Sequence, residues 1–418
     1  MINTKRVVIT GTGIISPIGN TLSEFRKNLL NGKSGIKERK IPFLGSIPAG
    51  ACDYDPLKYQ NRKELRRGTR AGSIAIYCAR EALLDAGLDI CRTDTSRLGV
   101  YIGITEHGMV ETTDTFRKIA ENDYDLQFLS HHLNSRIVSN NPAGEVSLNL
   151  KIKGPHYCVG GACAAGNLGV IQGYQMILLG DVDIAVAGGV SESIHSFIIF
   201  SAFKNQMALG SHKDPEKVSR PFDKNRNGIV ISEGGTLFVL ETLENAQKRG
   251  AEKIYGEIIG CAVCSDASDP VVPSAKGQAA CMQLALERAG LKSADIDIIN
   301  THATSTPVGD IQEINAIKKV FPDLKTTFIN NTKGCTGHTM GAAGAMELAG
   351  NLPSFSDGMV HPAINIDTLD PECAMENLIA NKKAPKKHIR YILNNSFGML
   401  GINASVVVKK IDSGEDAP

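Results

Sequence analysis

A chain of 418 residues, 42% of them apolar, is long enough for two ordinary domains or one large duplicated fold with a sizeable core. Its formal net charge of +1 argues against a nucleic-acid protein, which needs a basic excess to neutralise phosphates. No segment approaches the ~18 uninterrupted apolar residues of a membrane span.

The N-terminus, "MINTKRVVIT", runs straight into a β-rich stretch and lacks the apolar core and cleavage site of a signal peptide. Ten scattered cysteines are expected to be reduced thiols, which places the protein in the cytoplasm. Runs 6–10 (RVVIT), 98–104 (LGVYIGI) and 183–190 (DIAVAGGV) are rich in Val and Ile and predict buried strands. Residues 70–87 have helical periodicity, with Gly87 as C-cap, and 164–181 predict a helix of small residues that packs closely. In the second half, 252–264 predicts a strand and 276–290 a helix. Strands are also expected at 296–302, 326–331, 390–398 and 403–410. This alternation points to an α/β fold with buried sheets. No Pro-, Gly- or Ser-rich linker separates the halves, so two intimately packed halves are expected, 1–250 and 251–411, with a flexible acidic tail at 412–418.

Four segments carry candidate chemistry. In "CVGGACAAGNLGV" (158–170), Cys163 falls at a strand–turn–helix junction. Unpaired N–H groups there would favour a thiolate and hold an oxyanion. His302 follows the strand "IDIIN", where open α/β sheets place ligands, and Thr304, Ser305 and Thr306 add hydroxyls. "NNTKGCTGHTMGAAGA" (330–345) carries Lys333 and His338 before a small-residue helix that includes Glu347. "NNSFGMLGIN" (394–403) is another strand with a glycine-bearing turn. A nucleophilic cysteine with two histidines is a coherent set for acyl transfer.

Taken together and in order, "RVVITGTGIISPIG", "GGACAAG", "SRPFDKNRNGIVISEGG", "THATSTPVGD", "TKGCTGHTMGAAGA", "NNSFG" and "NASVVVKK" resemble the β-ketoacyl-acyl-carrier-protein synthases, condensing enzymes of the thiolase superfamily, and most closely their second type. The resemblance covers nearly the whole chain. It implies a thiolase-like duplicated five-layer αβαβα sandwich and a decarboxylative Claisen condensation that elongates fatty-acid-type chains. Cys163 would carry the acyl group, while His302 and His338 would promote decarboxylation of a malonyl thioester. Lys333 and Glu347 would give electrostatic support. The N–H groups of Cys163 and Met399 would form the oxyanion hole, with Phe397 beside the acyl gate. Thr304 and Thr306 would line the channel for the phosphopantetheine arm, and Ile104 would contact substrate. Arg62, Lys63, Arg66 and Arg67 form a basic run at helical spacing, and relatives dock an acidic acyl carrier protein there; the bland reading is a solvated face. The family also implies a homodimer, and its polyketide branch a heterodimer. No cofactor or metal is expected, because the substrates ride on the carrier's phosphopantetheine.

The chain departs from the family pattern at several positions. Ala303 replaces a glycine, and Gly161 a hydroxyl residue. Met399, Leu400 and Gly401 replace Phe-Gly-Gly. These changes bear on acyl-chain specificity more than on chemistry. Glu106 and His107 are unusual in a region that shapes the acyl pocket of relatives. They would face solvent or a neighbouring subunit, or else accommodate an acyl chain with polar groups. The alternative function is therefore a ketosynthase of a specialised polyketide or unusual-lipid pathway, paired with a chain-length factor. A non-catalytic chain-length subunit generally lacks the cysteine retained here. A biosynthetic thiolase would want a second catalytic cysteine near the C-terminus, and Cys373 in "PECAM" has no such setting. "GTGIIS" (11–16) imitates a dinucleotide fingerprint, but Pro17 breaks the helix start it requires. The lone CxxC at 261–264 and the paired histidines at 131–132 lack metal-ligand spacing.

Overall fold

The computed structural model describes residues 5–382 and 387–411. The expected tail at 412–418 lies outside the described residues. The chain opens with β1 (Val7–Ile15), then a small hairpin of β2 (Ile36–Ile41) and β3 (Gly45–Gly50). The first half continues with β4 (Leu98–Ile104), β5 (His156–Gly160), β6 (Ile184–Ser191) and β7 (Gly234–Thr242). The second half supplies β8 (Gly256–Ser265), β9 (Ile298–Asn300), β10 (Phe328–Asn330), β11 (Tyr391–Gly398) and β12 (Ile402–Lys409).

Apart from the β2–β3 hairpin, which forms a sheet of its own, these strands form one ladder in the order β10-β9-β11-β12-β8-β1-β7-β6-β4-β5. Split between β8 and β1, it becomes the same sheet twice. Reading outward from the join, each half places its first strand, then its fifth, fourth, second and third. The pairing senses also agree: antiparallel, antiparallel, parallel, parallel. Within the ladder the halves join where Val7–Ile9 of β1 pairs with Gly256–Ile258 of β8. Residue identity between the halves is too weak to reveal this duplication; the topology displays it.

Helices complete a thiolase-like layering. Helix Arg70–Asp85 covers the outer face of β1 and β7, and Ala275–Ala289 covers β8 and β12. Between the sheets lie Ala165–Leu179 and Ala343–Asn351, which touch each other and both halves. Their small residues are required by this contact. A Cβ on Gly166 would stand 2.8 Å from the Ala345 nitrogen and 2.9 Å from the Gly341 oxygen. One on Gly103 of β4 would stand 1.9 Å from the Ala165 oxygen. Such overlaps with backbone cannot be relieved by a rotamer change, so the backbones approach this closely only because these positions are glycine.

"GTGIIS" begins inside β1, and Cβ atoms on Gly11 and Gly13 would collide with the carbonyls of Ala82 and Cys78. Those glycines serve helix–sheet packing. The CxxC at 261–264 lies within β8. No helix among the described residues is long and apolar enough to cross a membrane.

Candidate active site

Cys163 lies in a short 3-10 turn, Ala162–Ala164, between β5 and the helix Ala165–Leu179. Ala162 bends the chain with φ +45°. In the second half, Met340 (φ +44°) opens the turn Met340–Ala342 before the helix Ala343–Asn351. The two central helices therefore start with the same left-handed kink, and only the first presents a thiol. Strain of this kind persists where surrounding structure enforces it. Here Thr105 donates to the Ala162 carbonyl (2.9 Å) and Ser396 to the Cys163 carbonyl (2.9 Å). A Cβ on Gly161 would lie 2.1 Å from Leu168 Cδ1, the end of a side chain that can shift to make room.

His302 and His338 arrive from the other half. The donor atoms of Cys163, His302 and His338 all lie within 4.8 Å of one another. The two imidazoles stand edge to face, with centroids 5.4 Å apart, and Phe397 flanks His302 at 6.1 Å. Lys333 Nζ is 3.3 Å from Nδ1 of His302, and the Met340 N–H points at Nδ1 of His338 at 3.3 Å. Both Nδ1 atoms therefore accept, which leaves the proton on both Nε2 atoms. Nε2 of His338 is buried without a hydrogen-bond partner among the described residues. Burial holds both imidazoles well below their usual pKa, with the Lys333 charge adding to it, so both are neutral near pH 7.

Lys333 is buried and pairs with Glu347. Glu347 also accepts from Asn300 (3.3 Å), and burial raises its carboxyl to about 7 despite the lysine. Around the pair runs a buried amide network: Asn300 donates to Asn394 (3.0 Å), and Asn351 donates to Asn300 (3.1 Å). Glu313 also belongs to the site, although no local motif points to it. From helix Pro307–Val320 it accepts the N–H groups of His302 (2.8 Å) and Ala303 (2.6 Å) and so fixes the strand end that carries the imidazole.

The expectation of a favoured thiolate at Cys163 is corrected. Burial lifts the thiol to about 12, and the nearby Glu106 charge adds to the rise. Lys333 and the N–H groups of Met399 and Cys163 itself pull the other way without overcoming it. Cys163 also precedes the helix proper, which begins at Ala165. The resting group is a thiol because desolvation outweighs the helix terminus.

A cleft of about 340 Å³ leads to Cys163, with Thr304, Thr306, Phe397 and Met399 in its walls as expected. Ile104 is not among the residues lining this cleft; it belongs to the apolar cluster that includes Ile74, Val186 and Val190 under the outer helix. Arg62, Lys63, Arg66 and Arg67 are exposed on the capped helix Arg62–Arg67. Arg136, distant in sequence, joins them by donating to the Arg66 and Arg67 carbonyls.

The family model for "Beta-ketoacyl synthase, N-terminal domain" matches residues 4–246, and that for the C-terminal domain matches 255–367. The chain is 36% identical to 3-oxoacyl-[acyl-carrier-protein] synthase 2 of Staphylococcus aureus (strain COL), over 99% of this chain and 100% of that protein. Among solved structures it resembles the ishigamide ketosynthase/chain length factor, with a TM-score of 0.90, 31% identity, and 98% and 100% of the two chains covered. It also resembles a type II polyketide-synthase acyl-carrier protein in complex with its ketosynthase bound to the hexaketide. There the TM-score is 0.88, the identity 26%, and the coverage 97% and 100%.

Proposed function

This chain belongs to the β-ketoacyl synthase family, and we propose that it joins an acyl group held on Cys163 to the two-carbon unit of a malonyl thioester, giving a 3-oxoacyl-carrier product in fatty-acid-type elongation. The observation that carries this reading is the convergence of one thiol and two neutral, Nε2-protonated imidazoles within 4.8 Å.

In the first half-reaction Cys163 Sγ attacks the acyl thioester carbonyl. The N–H groups of Met399 and Cys163, both near enough to the thiol to pull its pKa down, take the developing oxyanion. The carrier sulfur leaves and takes up the proton that Sγ gives up. In the second, the malonyl C–C bond breaks, CO2 departs and the electron pair becomes an enolate. Neutral Nε2–H groups of His302 and His338 hold its oxygen without competing as bases. The enolate carbon attacks the acyl-cysteine carbonyl, the C–S bond breaks, and Sγ is reprotonated from solvent. Every electron pair is accounted for by the substrates, so the scheme calls for no redox cofactor or metal. Two histidines and a cysteine at this spacing are also a zinc-type donor set; family membership favours acyl transfer.

The cleft walls Thr304 and Thr306 suit a phosphopantetheine arm, and the basic helix suits an acidic carrier protein. A homodimer fits the unpaired outer edge of β5 and the exposed apolar patch of Phe43, Met109, Phe116 and Ile198. A cytoplasmic location fits the free cysteines. The specialised-pathway reading has one observation in its favour, the Glu106 carboxyl close to the thiol.

Intact-protein mass after incubation with acyl-carrier thioesters tests the proposal. An acyl adduct on the wild type that vanishes in Cys163→Ala is expected. No adduct from any donor would overturn it.

A further inference from the structure

The duplication assigns a counterpart to each site residue. β4 and β9 occupy equivalent positions, and their last residues, Ile104 and Asn300, each pair with the last residue of the neighbouring parallel strand, Gly160 and Asn330. His302 stands two residues beyond the end of β9; Glu106 stands two residues beyond the end of β4. Phe397 stands four residues beyond Leu393, which pairs with Ile299. Ser193 stands four residues beyond Gly189, which pairs with Gly103. The His302–Phe397 contact in one half thus corresponds to a Glu106–Ser193 contact in the other. That contact is a hydrogen bond of 2.6 Å from Ser193 Oγ to Glu106 Oε2.

Glu106 also lies near Cys163, whose thiol its charge reaches, although the strict counterpart of that cysteine is Gly341. Thr105 ties the segment to the nucleophile turn through the Ala162 carbonyl, and the thiol feels the Glu106 charge directly. Ile194, next to Ser193, shares one apolar cluster with Cys163, Ile199, Phe200 and Met340. Glu106 keeps some accessible surface while its carboxyl is desolvated enough to reach about 7. The outer cleft is walled by other residues, among them Thr304, Thr306 and Met399. If that cleft carries the pantetheine arm, the acyl chain needs room on another side of Sγ.

We infer that Glu106 and Ser193 form a polar wall of the acyl-binding space behind Cys163, which selects acyl chains bearing a hydroxyl or oxo group over saturated chains of equal length. This rests on the acyl-transfer reading above. A saturated chain pressed against the pair would strip its remaining hydration and return no hydrogen bond. An oxygen on the chain would replace that hydration. A site built around a buried polar group discriminates through the unpaired group that the wrong ligand leaves behind.

The test measures initial rates of Cys163 acylation by intact mass. The donors are a saturated eight-carbon acyl thioester and the same chain with one hydroxyl or oxo group at successive carbons. The wild type should favour at least one oxygenated chain by about tenfold or more. Glu106→Leu should abolish or reverse that preference, and Glu106→Gln, which can still hydrogen-bond, should keep most of it. Ser193→Ala should shift the ratio towards the saturated chain and serves if Glu106→Leu does not fold. A wild type that favours the saturated chain, or a ratio unchanged in both Glu106→Leu and Ser193→Ala, would overturn the inference and leave acyl transfer standing. Failure of every donor to acylate the wild type would overturn acyl transfer itself, and the inference with it.

Discussion

Lys333 Nζ lies 3.3 Å from Nδ1 of His302, and because an ammonium group only donates, this contact holds the His302 proton on Nε2. The same ammonium balances Glu347, so one buried cation sets a tautomer and neutralises a carboxylate. Lys333→Met should release both. CO2 release from a malonyl thioester should fall by about 10²-fold or more, while acylation of Cys163 falls less. Nitrogen-15 shifts of His302 should show a mixed tautomer. Equal loss in both half-reactions with an unchanged tautomer would remove Lys333 from this role. In the wild type, both imidazole pKa values lie well below 6.5, so decarboxylation should show no imidazole limb as pH falls from about 8 to about 6.5.

Met399 contributes through its backbone. Its N–H is near enough to the Cys163 thiol to pull its pKa down, and its side chain is only part of the cleft wall. Met399→Leu should leave the acylation rate within a few-fold. Met399→Pro removes the donor, and Gly398 already has the extended backbone (φ −130°, ψ 162°) that a residue before proline prefers. A loss of ~10²–10³-fold in acylation is expected for the proline variant alone. Similar rates for both variants would show that this N–H is not an oxyanion donor.

Glu106 makes a signed prediction for stability. Burial raises its carboxyl from 4.5 to about 7, so the folded state holds a proton that the unfolded state has released between those values. The folded protein is therefore penalised progressively as pH rises through that window, and Glu106→Gln escapes the penalty. Denaturant midpoints should show little carboxyl-dependent difference below about pH 4.5. The gap in favour of Glu106→Gln should then widen to ~3 kcal/mol at most by about pH 7 and level off. A gap that narrows with rising pH would mean that the carboxylate is stabilised where it sits.

The exposed helix Arg62–Arg67 predicts a carrier-specific effect. Reversing Arg66 and Arg67 to Glu should raise KM for carrier-bound donors by about tenfold at low salt and leave KM for free pantetheine thioesters unchanged. Added salt should shrink the difference, because exposed charges are screened. An equal rise for both donor types would place these arginines in the cleft's support.

Much of this protein was legible from local pattern. The span 98–104, rich in Val and Ile, is β4 to the residue, and the 164–181 run of small residues is a central helix beginning at Ala165. Period, caps and glycine placement are short-range signals, and a linear reading captures them. Cys163 and His302 stood out because each follows a strand end, and His338 because it precedes a helix of small residues; that the three meet within 4.8 Å is a product of the fold. Glu313 supports His302 from the following helix, and no short motif encodes a carboxylate that caps a strand end. The Cys163 thiol shows the limit most plainly. Its sequence neighbours suggested a favoured thiolate, yet enclosure by both halves raises it to about 12. Desolvation depends on everything packed around a group, most of which lies far along the chain. The duplication belongs to the same class: it is written in strand order and pairing sense, and it alone reveals Glu106 as the counterpart of His302. The sequence by itself determined the elements and the reactive residue types. The tertiary structure decided which groups are charged, which nitrogen holds each proton, and which residues face one another, because those depend on long-range contacts and burial.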